Sequence, residues 1–337
     1  MTFENNMRIF VTGATGFLGY SLVKMLRQKA YDVTAIGRNQ SKAAQLEALG
    51  AKFVYLDLDD QKATQSALKG HDGVIHCAAL SSPWGKYEDF LQANVDNTEN
   101  LLKASMENSI TRFIHISTPS IYFRFQHQYG LSEKDALPLK KVNHYATTKY
   151  LAEEKVNEAA SRGLETVILR PRGIFGPGDT AIMPRIIRAG SLGALPIFTN
   201  KPIMIDITYV DNVSQAAILA MENAGDAVGQ VFNISNGEPV DFAPFLSKVF
   251  AKIKTPLNLK YIPFPAGYAI ASVLEAVHSL PWVKKEPALT KYLVGLFAFS
   301  QTLNIEKAKN LLNYQPSISV NEGVDRFAKW WLNNKTH

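Results

Sequence analysis

Tyr145 and Lys149, in Tyr145-Ala146-Thr147-Thr148-Lys149, form a pair whose types and spacing suit proton transfer. Four apart on a helix, both project from one face. A free phenol titrates near 10, too high to exchange its proton readily at neutral pH. An ammonium within about 4–6 Å favours the phenolate and lowers that value by roughly 1–3 units, which brings the phenol into acid/base range. Upstream, an apolar run ends in Ser117-Thr118 and continues as Pro119-Ser120-Ile121-Tyr122. A hydroxyl at that point can hydrogen-bond a substrate carbonyl beside the tyrosine. The same residue types also serve ordinary turns.

Such a pair acts only if other elements bring a reaction partner to it, and the chain's start supplies one. Ile9 to Val11 is a short β-branched run that leads straight into Gly13, Gly16 and Gly19, and an amphipathic stretch from Phe17 to Gln28 follows. Strand, Gly-rich turn and helix in that order predict a dinucleotide site. Gly13 allows the tight turn, Gly16 the approach to a pyrophosphate, and Gly19 the packing of helix on strand. The helix then aims free N–H groups and its positive dipole end at the phosphates.

Alternation continues through the first half. Strands are expected at Val33–Ile36, Lys52–Leu56, Gly73–His76, Arg112–Ile116 and Thr166–Leu169. Helices are expected at Ser41–Leu49, with a serine cap, at Tyr87–Asn108 and at Tyr145–Arg162. This pattern predicts an α/β fold, a doubly wound parallel Rossmann sheet with right-handed crossovers and its cofactor at the carboxyl ends of the strands. After Arg170 the glycines and prolines cluster, a strand returns at Asp206–Val210, and a helix follows at Val213–Met221. From Ser235 short amphipathic stretches suggest a smaller, mostly helical region. The expected division is residues 7–175 with 203–235 for the dinucleotide, and 176–202 with 236–337 for the substrate.

The second strand's end bears on the choice of nicotinamide cofactor. A carboxylate there would favour a free ribose 2′-hydroxyl, but the chain has Gly37-Arg38-Asn39. A guanidinium can grip a 2′-phosphate bidentately, so NADP(H) is the expected preference, with NAD(H) the second choice. Arg38 as a plain solvated arginine is the competing reading. Asp57-Leu58-Asp59 sits where an acid could meet the adenine amino group, or where helix caps are needed.

With these residues in view, the chain resembles the extended short-chain dehydrogenases/reductases over nearly its whole length. The resemblance rests on Thr12-Gly13-Ala14-Thr15-Gly16-Phe17-Leu18-Gly19, His76-Cys77-Ala78-Ala79, Asn94-Val95, Ser117-Thr118, Tyr145 with Lys149, and Arg170-Pro171 with Phe175-Gly176-Pro177. It implies that Tyr145 is the general acid/base and that Lys149 binds the nicotinamide ribose and tunes the tyrosine. It further implies that Thr118 contacts the substrate, and that Ala78, Ala79 and Leu80 line the cofactor together with Pro171 and Ile174. Asn94 reads as a structural helix residue.

Two stretches narrow the branch. Nucleotide-sugar epimerases and dehydratases of this family carry an arginine before Asp-Phe-Val-Tyr-Val-Asp-Asp, where it grips a diphosphate. Here Ile205 stands at that place before Asp206-Ile207-Thr208-Tyr209-Val210-Asp211-Asn212. Ala79-Leu80-Ser81-Ser82-Pro83-Trp84-Gly85 and Glu286-Pro287-Ala288-Leu289-Thr290 resemble the 3β-hydroxysteroid dehydrogenase branch, and within it bacterial 2-alkyl-3-oxoalkanoate reductases. Ser81, Trp84 and Tyr122 are the expected substrate contacts, although Trp84 also reads as a loop aromatic packing on the core. Residues 264–299, apolar except for Glu275, His278 and a few others, read as a lid over a greasy pocket, as core packing, or as a membrane-surface contact. The expected function is interconversion of a ketone and a secondary alcohol on a small hydrophobic substrate. The alternatives are a nucleotide-sugar epimerase or dehydratase, and a dinucleotide-sensing regulator without catalysis.

Composition sets outer bounds. The 337 residues are 46% hydrophobic and 20% charged, ordinary for a globular chain, with a net charge of +6. The basic residues are scattered, so no nucleic-acid tail is expected. Cys77, the single cysteine, excludes an internal disulfide and suits a reducing, cytoplasmic setting. Met1 to Asn6 reads as no signal peptide, no apolar run reaches eighteen residues, and no metal set is expected. Family members are often homodimers, which the resemblance extends to this chain.

Overall fold

β-Branched and aromatic runs buried on both faces build the central sheet of this computed structural model, which describes residues 7–334 apart from Leu192, Ala224, Pro281 and Lys284. Its seven strands are β1 (Arg8–Thr12), β2 (Asp32–Gly37), β3 (Lys52–Tyr55), β4 (Gly73–His76), β5 (Arg112–Ile116), β6 (Glu165–Pro171) and β7 (Gln230–Ile234). They lie in the order β7-β6-β5-β4-β1-β2-β3, and every pairing is parallel. Strand order reverses between β1 and β4, where Thr12 is level with His76. Diverging crossovers open a crevice at such a point. Thr12 Oγ1 lies 2.7 Å from His76 Nδ1 and accepts from Ala78 N–H at 3.2 Å, which ties the two strand ends together.

Around the sheet lie α1 (Phe17–Gln28), α2 (Asn97–Glu107), α3 (His144–Ser161) and α4 (Val210–Glu222), with α5 (Phe264–His278) and α6 (Lys291–Leu296) in the C-terminal region. Two expectations need correction here. The helix expected at Ser41–Leu49 is a 3₁₀ turn at Gln40–Lys42 followed by Ala43–Glu47, and its cap is Asn39, whose Oδ1 accepts from Ser41 N–H. The long helix at Tyr87–Asn108 is interrupted by a π turn at Gln92–Asp96. Single π turns re-aim side chains and recur at functional sites. Here the turn aims Asn94 at the Leu80 backbone, accepting at 2.7 Å and donating at 3.1 Å, and at Thr148 of α3.

The returning stretch also differs from one continuous strand. Met204–Ile205 joins a separate four-stranded sheet, between Val240–Asp241 and Gln301–Leu303, with Gln128–Leu131 at its far edge. Thr208–Tyr209 pairs instead with Ile174–Phe175. At the break lies buried Asp206, whose Oδ2 accepts from Leu303 N–H at 2.6 Å. A second apolar core gathers under these strands, with Phe175, Ile205, Tyr209, Phe245, Phe250 and Phe327 among its members. Among the described residues no helix is long and apolar enough to cross a membrane.

Candidate active site

The turn after β1 is shaped so that only bare backbone fits it. Gly13 has φ +66°, and a Cβ there would lie 2.7 Å from Ala78 N. A Cβ on Gly19 would lie 2.2 Å from Gly13 O, so helix and strand can approach only through glycine. Ala14 N–H donates to Ile36 O at 2.9 Å, which fixes the turn on β2. Gly16 caps α1 without any side-chain bond, leaving first-turn donors for an anion. The residues present therefore fit a dinucleotide pyrophosphate. Gly37 is held to glycine by Thr15, whose side chain lies 2.5 Å from where a Cβ would stand. That packing keeps a side chain, charged or not, off the end of β2. Beyond it, Arg38 Nη1 lies 3.5 Å from Asp57 Oδ2, both at the surface. Leu58 is buried in the core.

On the other side of the crevice, Phe17 and Leu18 pack against the second core, while Ala78 and Leu80 are half-buried and Ala79 is exposed. Pro171 ends β6, and Ile174 follows in the short strand beside Thr208. In the next loop Ser82 and Trp84 bond each other locally, Ser82 Oγ donating to Trp84 O at 2.8 Å. Ser81 is exposed and Trp84 half-buried. His144 at the head of α3 touches this loop through Nδ1, 3.1 Å from Gly85 O.

Tyr145 and Thr118 come together from α3 and from the end of β5. Asn143 caps α3, its Oδ1 accepting from Ala146 N–H at 2.8 Å, which sets the phase of the helix. Thr118 caps the turn Pro119–Tyr122 and accepts from Ser120 N–H at 3.1 Å. Its hydroxyl also acts on the Tyr145 phenol. Burial pushes that phenol up to about 12, the Thr118 hydroxyl opposes the rise, and Tyr292 adds to it. This corrects the expectation that a nearby ammonium lowers the tyrosine. Lys149, only 2% exposed, instead donates to Ile116 O at 2.6 Å and lies 2.9 Å from His115 Nε2. Burial lowers its ammonium to about 8, opposed by the Glu153 charge. Tyr145 thus stands protonated at neutral pH.

Tyr122 is the second correction. It is 1% exposed, its hydroxyl accepts from Arg170 Nη1 and donates to Asn233 Oδ1 at 3.1 Å, so it does not face a substrate. Arg170 in turn forks onto Glu153 at 2.9 and 2.5 Å, and Ser117 donates to the same carboxylate. Buried charges need such saturation. Of the adjacent hydroxyls of Ser117 and Thr118, the first belongs to this internal network and the second bonds Ser120.

Sequence reasoning passed over Ser120, Tyr292 and the rings beside them. Tyr292 Oη lies 2.8 Å from Ser120 Oγ, and its ring meets Phe123 edge-on at 5.1 Å. Phe123 meets Phe125 at 5.3 Å, Phe125 meets Tyr268 at 5.4 Å, and Phe264 meets Phe299 at 5.0 Å. An aromatic wall therefore runs from the turn Pro119–Tyr122 to α5 and α6. The apolar composition of residues 264–299 hinted at it, but no local motif marks Tyr292. α5 itself packs inward through Gly267 and Ala271, and a Cβ on Gly267 would lie 2.4 Å from the Phe198 ring. Its outer face stays open, with Val273 63% exposed.

Comparison with known proteins adds kinship to this geometry. Residues 9–235 match the NAD dependent epimerase/dehydratase family. The chain is 34% identical over 325 residues to the 2-alkyl-3-oxoalkanoate reductase of Stenotrophomonas maltophilia, covering 95% of this chain and 98% of that protein. It is 30% identical over 324 residues to the decarboxylating sterol-4-alpha-carboxylate 3-dehydrogenase of Mus musculus, covering 94% and 88%. Among solved structures, UDP-glucuronic acid 4-epimerase from Bacillus cereus in complex with NAD superposes with a TM-score of 0.76. At 24% identity over 97% of this chain and 99% of that one, the likeness speaks to fold alone.

Proposed function

The chain belongs to the NAD dependent epimerase/dehydratase family, in the extended short-chain dehydrogenase/reductase group, and on that premise we propose an oxidoreductase that interconverts a ketone and a secondary alcohol on a hydrophobic molecule. The observation that carries the reading is a run of hydroxyls, Thr118, Ser120 and Tyr292, that acts on the Tyr145 phenol and joins an aromatic wall. A polar grip for one oxygen beside apolar walls suits a greasy carbonyl compound. Long-chain 3-oxoacyl and sterol-like molecules are the substrate classes, in line with what the relatives' names describe.

Thr118 and Tyr145 hold the carbonyl oxygen, and Tyr145 gives it a proton. A bound nicotinamide supplies the hydride. Lys149 holds the nicotinamide ribose, and the turn from Gly13 to Gly19 holds the pyrophosphate. Arg38, with no carboxylate at Gly37, favours NADP(H) over NAD(H). Residues 7–175 with 203–235 serve the dinucleotide, and 176–202 with 236–337 the substrate. α5 acts as a lid, and its open apolar face, including Ile270, Val273 and Val277, suits a peripheral membrane surface from which such substrates come. The nucleotide-sugar reading loses ground because Ile205 lies in the apolar core, with no cation at that place.

The test is NADPH oxidation over 3-oxoacyl esters and 3-ketosteroids of increasing size, with the native protein and Tyr145→Phe. The native protein should turn over the longer ketones. Loss of the proton donor typically costs 10²–10⁴-fold, with dinucleotide binding unchanged. Equal turnover by Tyr145→Phe would refute the mechanism.

A further inference from the structure

Two buried histidines face each other across neighbouring strands, and only one of them is satisfied. His76 on β4 and His115 on β5 are level in register, with ring centroids 5.5 Å apart. Thr98 Oγ1 donates to Asn94 O at 2.7 Å, so it accepts from His76 Nε2, 3.0 Å away. His76 Nδ1 then accepts from Thr12 Oγ1 at 2.7 Å. Both nitrogens of His76 are used, as a purely structural imidazole requires. His115 differs. Its Nε2 lies 2.9 Å from Lys149 Nζ, whereas Nδ1 is buried and, among the described residues, has no hydrogen-bond partner.

Lys149 needs that Nε2. An ammonium carries three donors and, once buried, must direct them at acceptors. Ile116 O takes one at 2.6 Å, and His115 Nε2 is the second acceptor. Glu153, one turn further along α3, is engaged by Arg170 through both oxygens and by Ser117. Nε2 can accept from an ammonium only when the ring is neutral and carries its proton on Nδ1. Burial, the Lys149 charge and His76 push the titration of His115 well below the ordinary histidine value, so the ring is neutral. The tautomer that serves the lysine is therefore the one that leaves a buried N–H unpaired. That cost is accepted at His115 and avoided at His76 beside it.

We propose that His115 is a positioning residue that aims Lys149 by accepting one of its three N–H bonds. The inference rests on the proposed role of Lys149, which is to hold the nicotinamide ribose with the remaining N–H. Without Nε2 the buried ammonium keeps Ile116 O alone, and its charge becomes harder to hold. Glu153 from α3 and Cys77 after β4 favour that charge, burial opposes it, and neutral His76 and His115 face it from β4 and β5. Loss of the imidazole therefore lowers the pH at which Lys149 is discharged, about 8 in the native protein.

The experiment measures Kd for NADPH and NADH, and kcat/KM for a long-chain 3-oxoacyl ester, from pH 6 to 10. The proteins are native, His115→Leu, His115→Asn, His115→Gln and Lys149→Met. Leu fills the space without an acceptor, Asn carries an oxygen that stops short, and Gln carries one about where Nε2 stands. In His115→Leu and His115→Asn the alkaline limb of both quantities should move down by about one pH unit. That is a loss of roughly fivefold at pH 8 and little at pH 6. His115→Gln should return the limb to its native position. A merely structural role would weaken both quantities alike at every pH. An unmoved limb in His115→Asn, or one that moves as far in His115→Gln, would overturn the inference. Should His115→Leu fail to fold, the Asn and Gln pair, which both keep a polar group, decides the matter. If Lys149→Met keeps native affinity and the native limb, Lys149 does not hold the ribose, and the inference falls with that reading. If native protein turns over no ketone, the proposed reaction fails, while the limb in cofactor Kd still judges His115.

Discussion

Removing the Arg38 guanidinium is the most direct test of cofactor choice. In Arg38→Ala the 2′-phosphate of NADPH loses its cationic partner, while NADH, which has none, keeps every contact. A hydrogen bond to a charged group contributes about 1.5–3 kcal/mol. The structure reduces that figure, because Arg38 already faces Asp57 at 3.5 Å. Exposed pairs of this kind hold about 0.2–1 kcal/mol, which the phosphate must displace or share. The net preference is then about 0.5–2.8 kcal/mol, or roughly 2- to 100-fold, since 1.4 kcal/mol is tenfold. Arg38→Ala should erase it. Asp57→Asn should do the reverse and tighten NADPH by up to about fivefold, because it frees Arg38 and removes a carboxylate near the phosphate. Dissociation constants for both reduced cofactors, from fluorescence titration of the three proteins at one ionic strength, decide the matter. Equal affinity of native protein for NADH and NADPH would refute the reasoning, as would a loss in Arg38→Ala shared by both cofactors.

Three further outcomes follow from the same geometry. Reduction should slow as pH rises through about 8, where buried Lys149 loses the charge proposed to hold the ribose, and a pH profile of kcat/KM flat from 6 to 10 would contradict this. UDP- and dTDP-sugars should leave the melting temperature unchanged at micromolar concentration, because Ile205 is core rather than clamp, and ligand binding would raise it by mass action. Glu153→Ala should cost about 3–5 kcal/mol in urea unfolding, the usual result of stranding a buried partner, here Arg170. A loss below about 1 kcal/mol would show that this network is incidental to stability.

Local signals carried the scaffold of this protein far. The Gly13, Gly16 and Gly19 spacing between an apolar run and an amphipathic one is a short-range pattern, and so is alternation of strand with helix. Each depends on neighbours within a few residues, so the parallel sheet and the Tyr145–Lys149 face could be read from the chain directly. The π turn at Gln92–Asp96 could not, since it answers to Leu80 and Thr148 on other elements. Tyr122 follows the same rule: as a residue type it suits a substrate pocket, but only the arrival of Arg170 and Asn233 turned it inward. The state of Tyr145 was likewise a tertiary matter. Spacing puts a lysine on its helix face, whereas burial and the carbonyl of Ile116 decide where that ammonium points and which way the phenol shifts. The sequence alone determined which residues have the chemistry. Folding decided which of them meet, because a contact such as Ser120 with Tyr292 joins segments that no local propensity relates.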